Sequence, residues 1–106
     1  MDCWQWKRKA PKPKKPPELN PAPSEAHIRE FYRTWAWKQT RFKVLKQHDF
    51  QCQACGNFPP NTVLHVDHIK PVRYYWQLRL VMENLQVLCQ DCNMGKGAWD
   101  QTDFRK

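Results

Sequence analysis

A chain of 106 residues has room for one small domain with a modest core. Its 18 Lys+Arg against 10 Asp+Glu leave a formal charge of +8, which points to a polyanionic partner, most simply nucleic acid, without choosing among DNA, RNA and an acidic membrane. No run of about 18 apolar residues exists to span a bilayer, and the opening MDCWQWKRKA lacks a signal peptide's apolar stretch, so a soluble, cytoplasmic protein is expected.

Residues 1–23 read as an arm. Six of the nine prolines fall between Pro11 and Pro23 and six basic residues between Lys7 and Lys15, a composition that predicts an extended, disordered, basic segment. Such an arm adds non-specific attraction to phosphate. A second reading uses Cys3, Trp4 and Trp6 at its tip as a docking element for a protein partner.

The domain proper is expected over residues 24–106. Ser24 is a suitable N-cap with Glu25 in the first turn, and Ile28, Phe31, Tyr32 and Trp35 follow helical spacing. Phe42, Val44 and Leu45 carry helical character to about Lys46, as one helix or as two with a joint near Trp35–Trp37. The aromatic stripe is a core face, and Arg41 is a basic position that can meet phosphate. CQACG is a tight turn, FPPN breaks the chain, and the β-branched TVLHVDHI predicts a strand. RYYWQLRLVMEN reads equally as a loop with a helical turn or as a short helix. LQVL is a second short strand, and CQDCNMGKGAW opens a helix that Gly95 or Gly97 stops. Trp99 and Phe104 are expected to close the C-terminal end against the helices.

Four of the five cysteines form two Cys-x-x-Cys pairs, Cys52/Cys55 and Cys89/Cys92. In a reducing compartment that pattern predicts a tetrahedral structural zinc site before disulfides or redox thiols. Bound metal adds folding free energy directly, on the order of 10 kcal/mol in small zinc modules. Four thiolates leave no open coordination position, so chemistry has to lie elsewhere.

Asp67, His68, Asn84 and Asn93 sit between and just beyond the knuckles. Read as a unit, HVDHIKP followed by ENLQVLCQDCNMGKG resembles the HNH endonuclease family, and FYRTWAWKQTRFKVL resembles the lead-in of its small stand-alone phage and bacterial members. The resemblance covers roughly residues 30–104. It implies a small α+β, zinc-stapled ββα-metal domain behind one or two N-terminal helices, in a bacterial cell or phage-infected host. It also implies a metal-dependent endonuclease that hydrolyses phosphodiester bonds in DNA. His68 would be the general base, Asp67 and Asn93 the ligands of a catalytic divalent ion, and Asn84 the catalytic-site residue whose side chain braces the loop carrying the histidine.

Elementary chemistry agrees with these roles. A neutral imidazole can take a proton from attacking water, and two oxygen donors suit a divalent cation. Asn93 stands where the family name expects a last histidine, and an amide oxygen in place of a ring nitrogen favours Mg²⁺ or Mn²⁺ over Zn²⁺ or Ni²⁺. Strand alternation puts His65 on the same face as Asp67, as an extra ligand, a phosphate contact or a structural histidine. Lys70, Arg73, Arg79 and above all Lys96 are further candidates for DNA phosphate. Two rivals stand beside this reading: a non-catalytic zinc-ribbon DNA-binding module, and an RNA-directed nuclease working through the 2′-hydroxyl.

Overall fold

The structure, a computed structural model, describes residues 12–105. Cys3, Trp4, Trp6 and the first part of the basic arm lie outside the described residues. Residues 12–23 contain no helix or strand, and Pro16 among them is buried.

Helix α1 (Glu25–Arg33) starts where Ser24 Oγ accepts the His27 amide at 3.1 Å. Helix α2 (Trp35–Gln47) follows after a single residue. Thr34 serves both ends at once, its hydroxyl donating to Phe31 O at 2.7 Å and accepting from Trp37 N at 3.2 Å. That double use puts the joint at Thr34, just ahead of the expected Trp35–Trp37, since none of those three side chains can cap a helix. Beyond α2, Asp49 and Phe50 both adopt positive φ, and Phe50 N returns to Leu45 O at 2.9 Å.

The first knuckle closes with Gly56 N on Cys52 O at 2.9 Å and Cys52 N on Asn57 O at 2.8 Å. Gly56 holds φ of 82°, a backbone state that a side chain would strain. Strands β1 (Leu64–His68) and β2 (Leu85–Cys89) pair antiparallel, with Val66 opposite Val87 and Asp67 opposite Gln86. The knuckle also packs along β2: Gln53 N donates to Val87 O at 2.9 Å, and Gln53 Oε1 accepts from Val87 N at 2.7 Å. The ambiguous RYYWQLRLVMEN segment resolves into two short 3₁₀ turns, Trp76–Leu78 and Met82–Asn84. Helix α3 (Gln90–Lys96) runs directly out of β2 and ends at Gly97, whose φ is 78°.

Phe31, Trp37, Val44, Leu45, Leu64, Leu85, Val87 and Leu88 form the core together with the cysteines. β2 is buried along its whole length, so α1 and α2 cover a sheet too small to make a core alone. Phe104 packs against this core as expected, whereas Trp99 remains 39% exposed. The α+β class is as expected, with two strands, three helices and a cluster of four cysteines among the described residues.

Candidate active site and metal centre

The cysteine cluster is built from three places in the fold. Cys52 and Cys55 come from the first knuckle, Cys89 ends β2, and Cys92 lies in the first turn of α3, its amide 3.4 Å from Cys89 Sγ. All four sulfurs lie within 4.8 Å of one another, and Cys55 and Cys89 are 3.7 Å apart. Thiolates at about 2.3 Å from a tetrahedral ion would stand about 3.8 Å apart, so the four sulfurs fit a metal ion. This donor set is thiolate throughout.

A separate cavity of about 400 Å³ opens between the helical lead-in and the ββα unit. Tyr32, Arg41, His65, Asp67, His68, Asn93 and Lys96 all border it. Residues far apart in sequence therefore converge because β1 and α3 flank one side and α1 and α2 the other.

His68 is 6% exposed, and its imidazole stacks on Trp37 with ring centroids 5.1 Å apart and planes at 20°. Phe31 and Tyr32 stand against the same ring at 6.1 Å. Its Nε2 is 2.9 Å from the Arg79 carbonyl oxygen. A carbonyl can only accept, so the neutral ring carries its proton on Nε2 and keeps the lone pair on Nδ1. Burial, aided by the charge of Lys96, holds the imidazole below its ordinary pKa against the opposing pull of the Arg79 carbonyl and Asp67.

Asn84 is buried beneath the loop that follows β1. Its Oδ1 accepts from Lys70 N at 2.8 Å, its Nδ2 donates to Lys70 O at 3.2 Å, and its own carbonyl accepts from Ile69 N at 2.8 Å. One asparagine thus joins the second 3₁₀ turn to the two residues after His68.

Asp67 is held through one oxygen. Oδ2 accepts from Lys96 Nζ at 2.9 Å and from Gln86 Nε2 at 3.0 Å, while Oδ1 has no hydrogen-bond partner among the described residues. Lys96, expected at phosphate, is 2% exposed, with its ammonium on Asp67 and 3.4 Å from His68 O. Asn93 lies on α3 one residue beyond Cys92 and is partly buried. His65 and Arg41 reach the cavity; Lys70 and Arg73 do not border it. Lys70 lies over the Tyr75 ring at 5.5 Å, and the exposed Arg73 stands 3.7 Å from Glu25.

The sequence reading missed Gln86, Tyr32 and Trp37 as members of this site. Gln86 carried a signal, because an amide inside the apolar run LQVLC must find partners when the strand is buried. Partial burial and the negative charge of Asp67 push the Tyr32 phenol above its ordinary pKa. Nothing in helical spacing alone separated Tyr32 or Trp37 from ordinary core aromatics.

The HNH endonuclease family profile matches residues 52–98, which span both knuckles, both strands and α3. The structure is similar to the crystal structure of the HNH endonuclease of the deep-sea thermophilic bacteriophage GVE2 with manganese ion. The two share 38% sequence identity at a TM-score of 0.61, over 67% of this chain and 78% of that one. No curated protein sequence matches the chain. No helix among the described residues is long and apolar enough to cross a membrane. Since the profile falls on the segment that carries Asp67, His68 and Asn93, and a phage HNH endonuclease is 38% identical over an alignment that covers 78% of its length, the chain belongs to the HNH endonuclease family and is a nuclease.

Proposed function

We propose that the protein is a metal-dependent endonuclease that hydrolyses DNA phosphodiesters, with His68 as general base. The observation that carries this reading is the tautomer: the Arg79 carbonyl keeps the proton on Nε2, and Nδ1 retains the lone pair in a ring held neutral by burial. In the proposed step Nδ1 takes a proton from water as the water oxygen bonds to phosphorus and the bond to the 3′ oxygen breaks. The resulting imidazolium keeps its Nε2–H on Arg79 O and feels the charge of Asp67.

Asp67, through Oδ1, and Asn93 would hold the catalytic ion. Both are hard oxygen donors bordering one cavity, which suits Mg²⁺ or Mn²⁺, and the phage relative's structure includes a manganese ion. When bound, such an ion supplies Lewis-acid stabilisation of charge gathering on the phosphate and the 3′ oxygen. The thiolate cluster takes structural Zn²⁺ in this reading. Arg41 at the cavity and Lys70 and Arg73 on the adjoining surface would contact the DNA backbone, which positions a duplex without reading it.

The test is incubation with supercoiled plasmid in Mg²⁺, Mn²⁺, Ni²⁺, Zn²⁺ or EDTA, beside His68→Ala with a normal metal content at the cysteines. Relaxation or linearisation in Mg²⁺ or Mn²⁺, lost in the variant, is expected. Cleavage in Ni²⁺ or Zn²⁺ alone would refute the ion assignment. Cleavage of RNA in EDTA with cyclic phosphate ends would refute the mechanism.

A further inference from the structure

Gln86 has no exposed surface and is the second residue of a strand otherwise made of Leu, Val and Cys. A buried carboxamide is tolerated there only if both its ends are satisfied. Nε2 donates to Asp67 Oδ2 and to Thr102 O, each at 3.0 Å, and Oε1 accepts from Phe104 N at 2.8 Å. Two of these three contacts come from the C-terminal segment. That segment has its own anchors: Thr102 N donates to Asp100 Oδ1 at 2.8 Å, and the Phe104 ring packs on the core.

An amide can be turned end for end about its last torsion with little change in shape. Here a carbonyl at residue 102 and an N–H at residue 104 both demand the same orientation, the one that presents Nε2 to Asp67. The reversed amide would face the Asp67 carboxylate with Oε1, acceptor against acceptor. The C-terminal segment therefore selects the orientation that grips Oδ2 and leaves Oδ1 for a cation.

We propose that Gln86 is a positioning residue for the catalytic ion, and that the backbone of residues 102–104 fixes its orientation, making the C-terminal segment part of the metal site. The inference rests on the assignment of Asp67 as a ligand. Neither residue 102 nor residue 104 borders the cavity, so their influence passes through Gln86.

The test is the Mn²⁺ dissociation constant of the full-length protein, read from the spin-resonance signal of free Mn²⁺, with cysteine-bound metal and melting temperature measured on the same samples. Gln86→Met removes all three hydrogen bonds at similar volume and should weaken Mn²⁺ binding by about 10–100-fold, the usual effect of losing a contact that orients a ligand. Phe104→Ala and Phe104→Pro both lose the ring, but only proline loses the N–H that holds Oε1. Phe104→Pro should therefore bind Mn²⁺ more weakly than Phe104→Ala, with the cysteine site loaded in both.

Equal Mn²⁺ affinity in the two Phe104 variants overturns the proposal, as does wild-type affinity in Gln86→Met. Should Gln86→Met fail to retain metal at the cysteines, the Phe104 pair decides alone. Asp67→Ala separates the two levels of inference. If it binds Mn²⁺ as well as wild type, the ligand assignment itself is wrong; if it alone loses binding, only the role of Gln86 and the C-terminal segment falls.

Discussion

Replacing Asn84 by alanine tests whether the loop behind the histidine depends on one side chain. The substitution deletes the hydrogen bonds to Lys70 N and Lys70 O and a long contact of 3.5 Å to Leu78 O. A net hydrogen bond contributes about 1 kcal/mol, and a buried group left unpaired costs about 1–3 kcal/mol. Because Lys70 is exposed, water can take up part of that cost, and the expected loss is about 2 kcal/mol. In a domain of this size each kcal/mol lowers the melting temperature by about 4–8 °C, so Asn84→Ala should melt roughly 8–16 °C lower. Below that melting point the cleavage rate at saturating DNA should fall up to about 100-fold, because small displacements of the proposed general base, His68, are costly. Calorimetry and single-turnover cleavage read the two effects. A melting temperature within 2 °C of wild type, with unchanged cleavage, would show that Asn84 braces nothing.

Other consequences are open to direct measurement. Since His68 is held below its ordinary pKa of about 6.5, the acid limb of the cleavage rate should lie below pH 6.5, and a limb at or above that pH would contradict the buried, neutral ring. The sign for stability follows: on acidification the unfolded chain takes up this proton first, so the contribution is complete above about pH 6.5 and declines as pH falls toward the lower folded value. Lys96→Met leaves the Asp67 carboxylate without its buried cation, so the metal-free variant should lose about 3 kcal/mol, and added Mn²⁺ should raise its melting temperature more than that of wild type. An equal rise in both proteins would count against competition for that carboxylate. Stripping metal from the cysteines with a strong chelator, or substituting Cys92→Ser, should abolish cooperative thermal unfolding. A sharp transition surviving in the stripped protein would place the stability in the helices instead.

The parts of this molecule that were legible in the sequence are those where one residue type has few uses. Paired Cys-x-x-Cys spacing forecast a cluster that brings four sulfurs within 4.8 Å. Ser24 announced a helix start, and β-branched residues around Asp67 and His68 announced a strand. The interior of the site was harder to read because its chemistry depends on what faces what across the fold. Lys96 looked like a surface cation between two glycines, yet α3 turns it inward onto Asp67. The stripe read at helical spacing took in Trp35, which stands 70% exposed, because the helix break at Thr34 takes it off that face; the packing of α2 on β1 instead lays the Trp37 indole against His68. The tautomer of that histidine was beyond the sequence, since it is set by the backbone oxygen of Arg79, eleven positions away.

The contact of Gln53 with Val87 has a bearing on solubility. A two-stranded ribbon exposes main-chain groups along both outer margins, and a hydrophobic margin is a template on which a second chain can add. β2, apolar and buried, carries the more hazardous margin. By placing one amide N–H and one side-chain oxygen on Val87, the first knuckle closes that margin at its midpoint. A metal held by the cysteine cluster would pin this knuckle in place, so its release would uncover a sticky edge as well as loosen the fold, and metal-depleted protein should be the aggregating species.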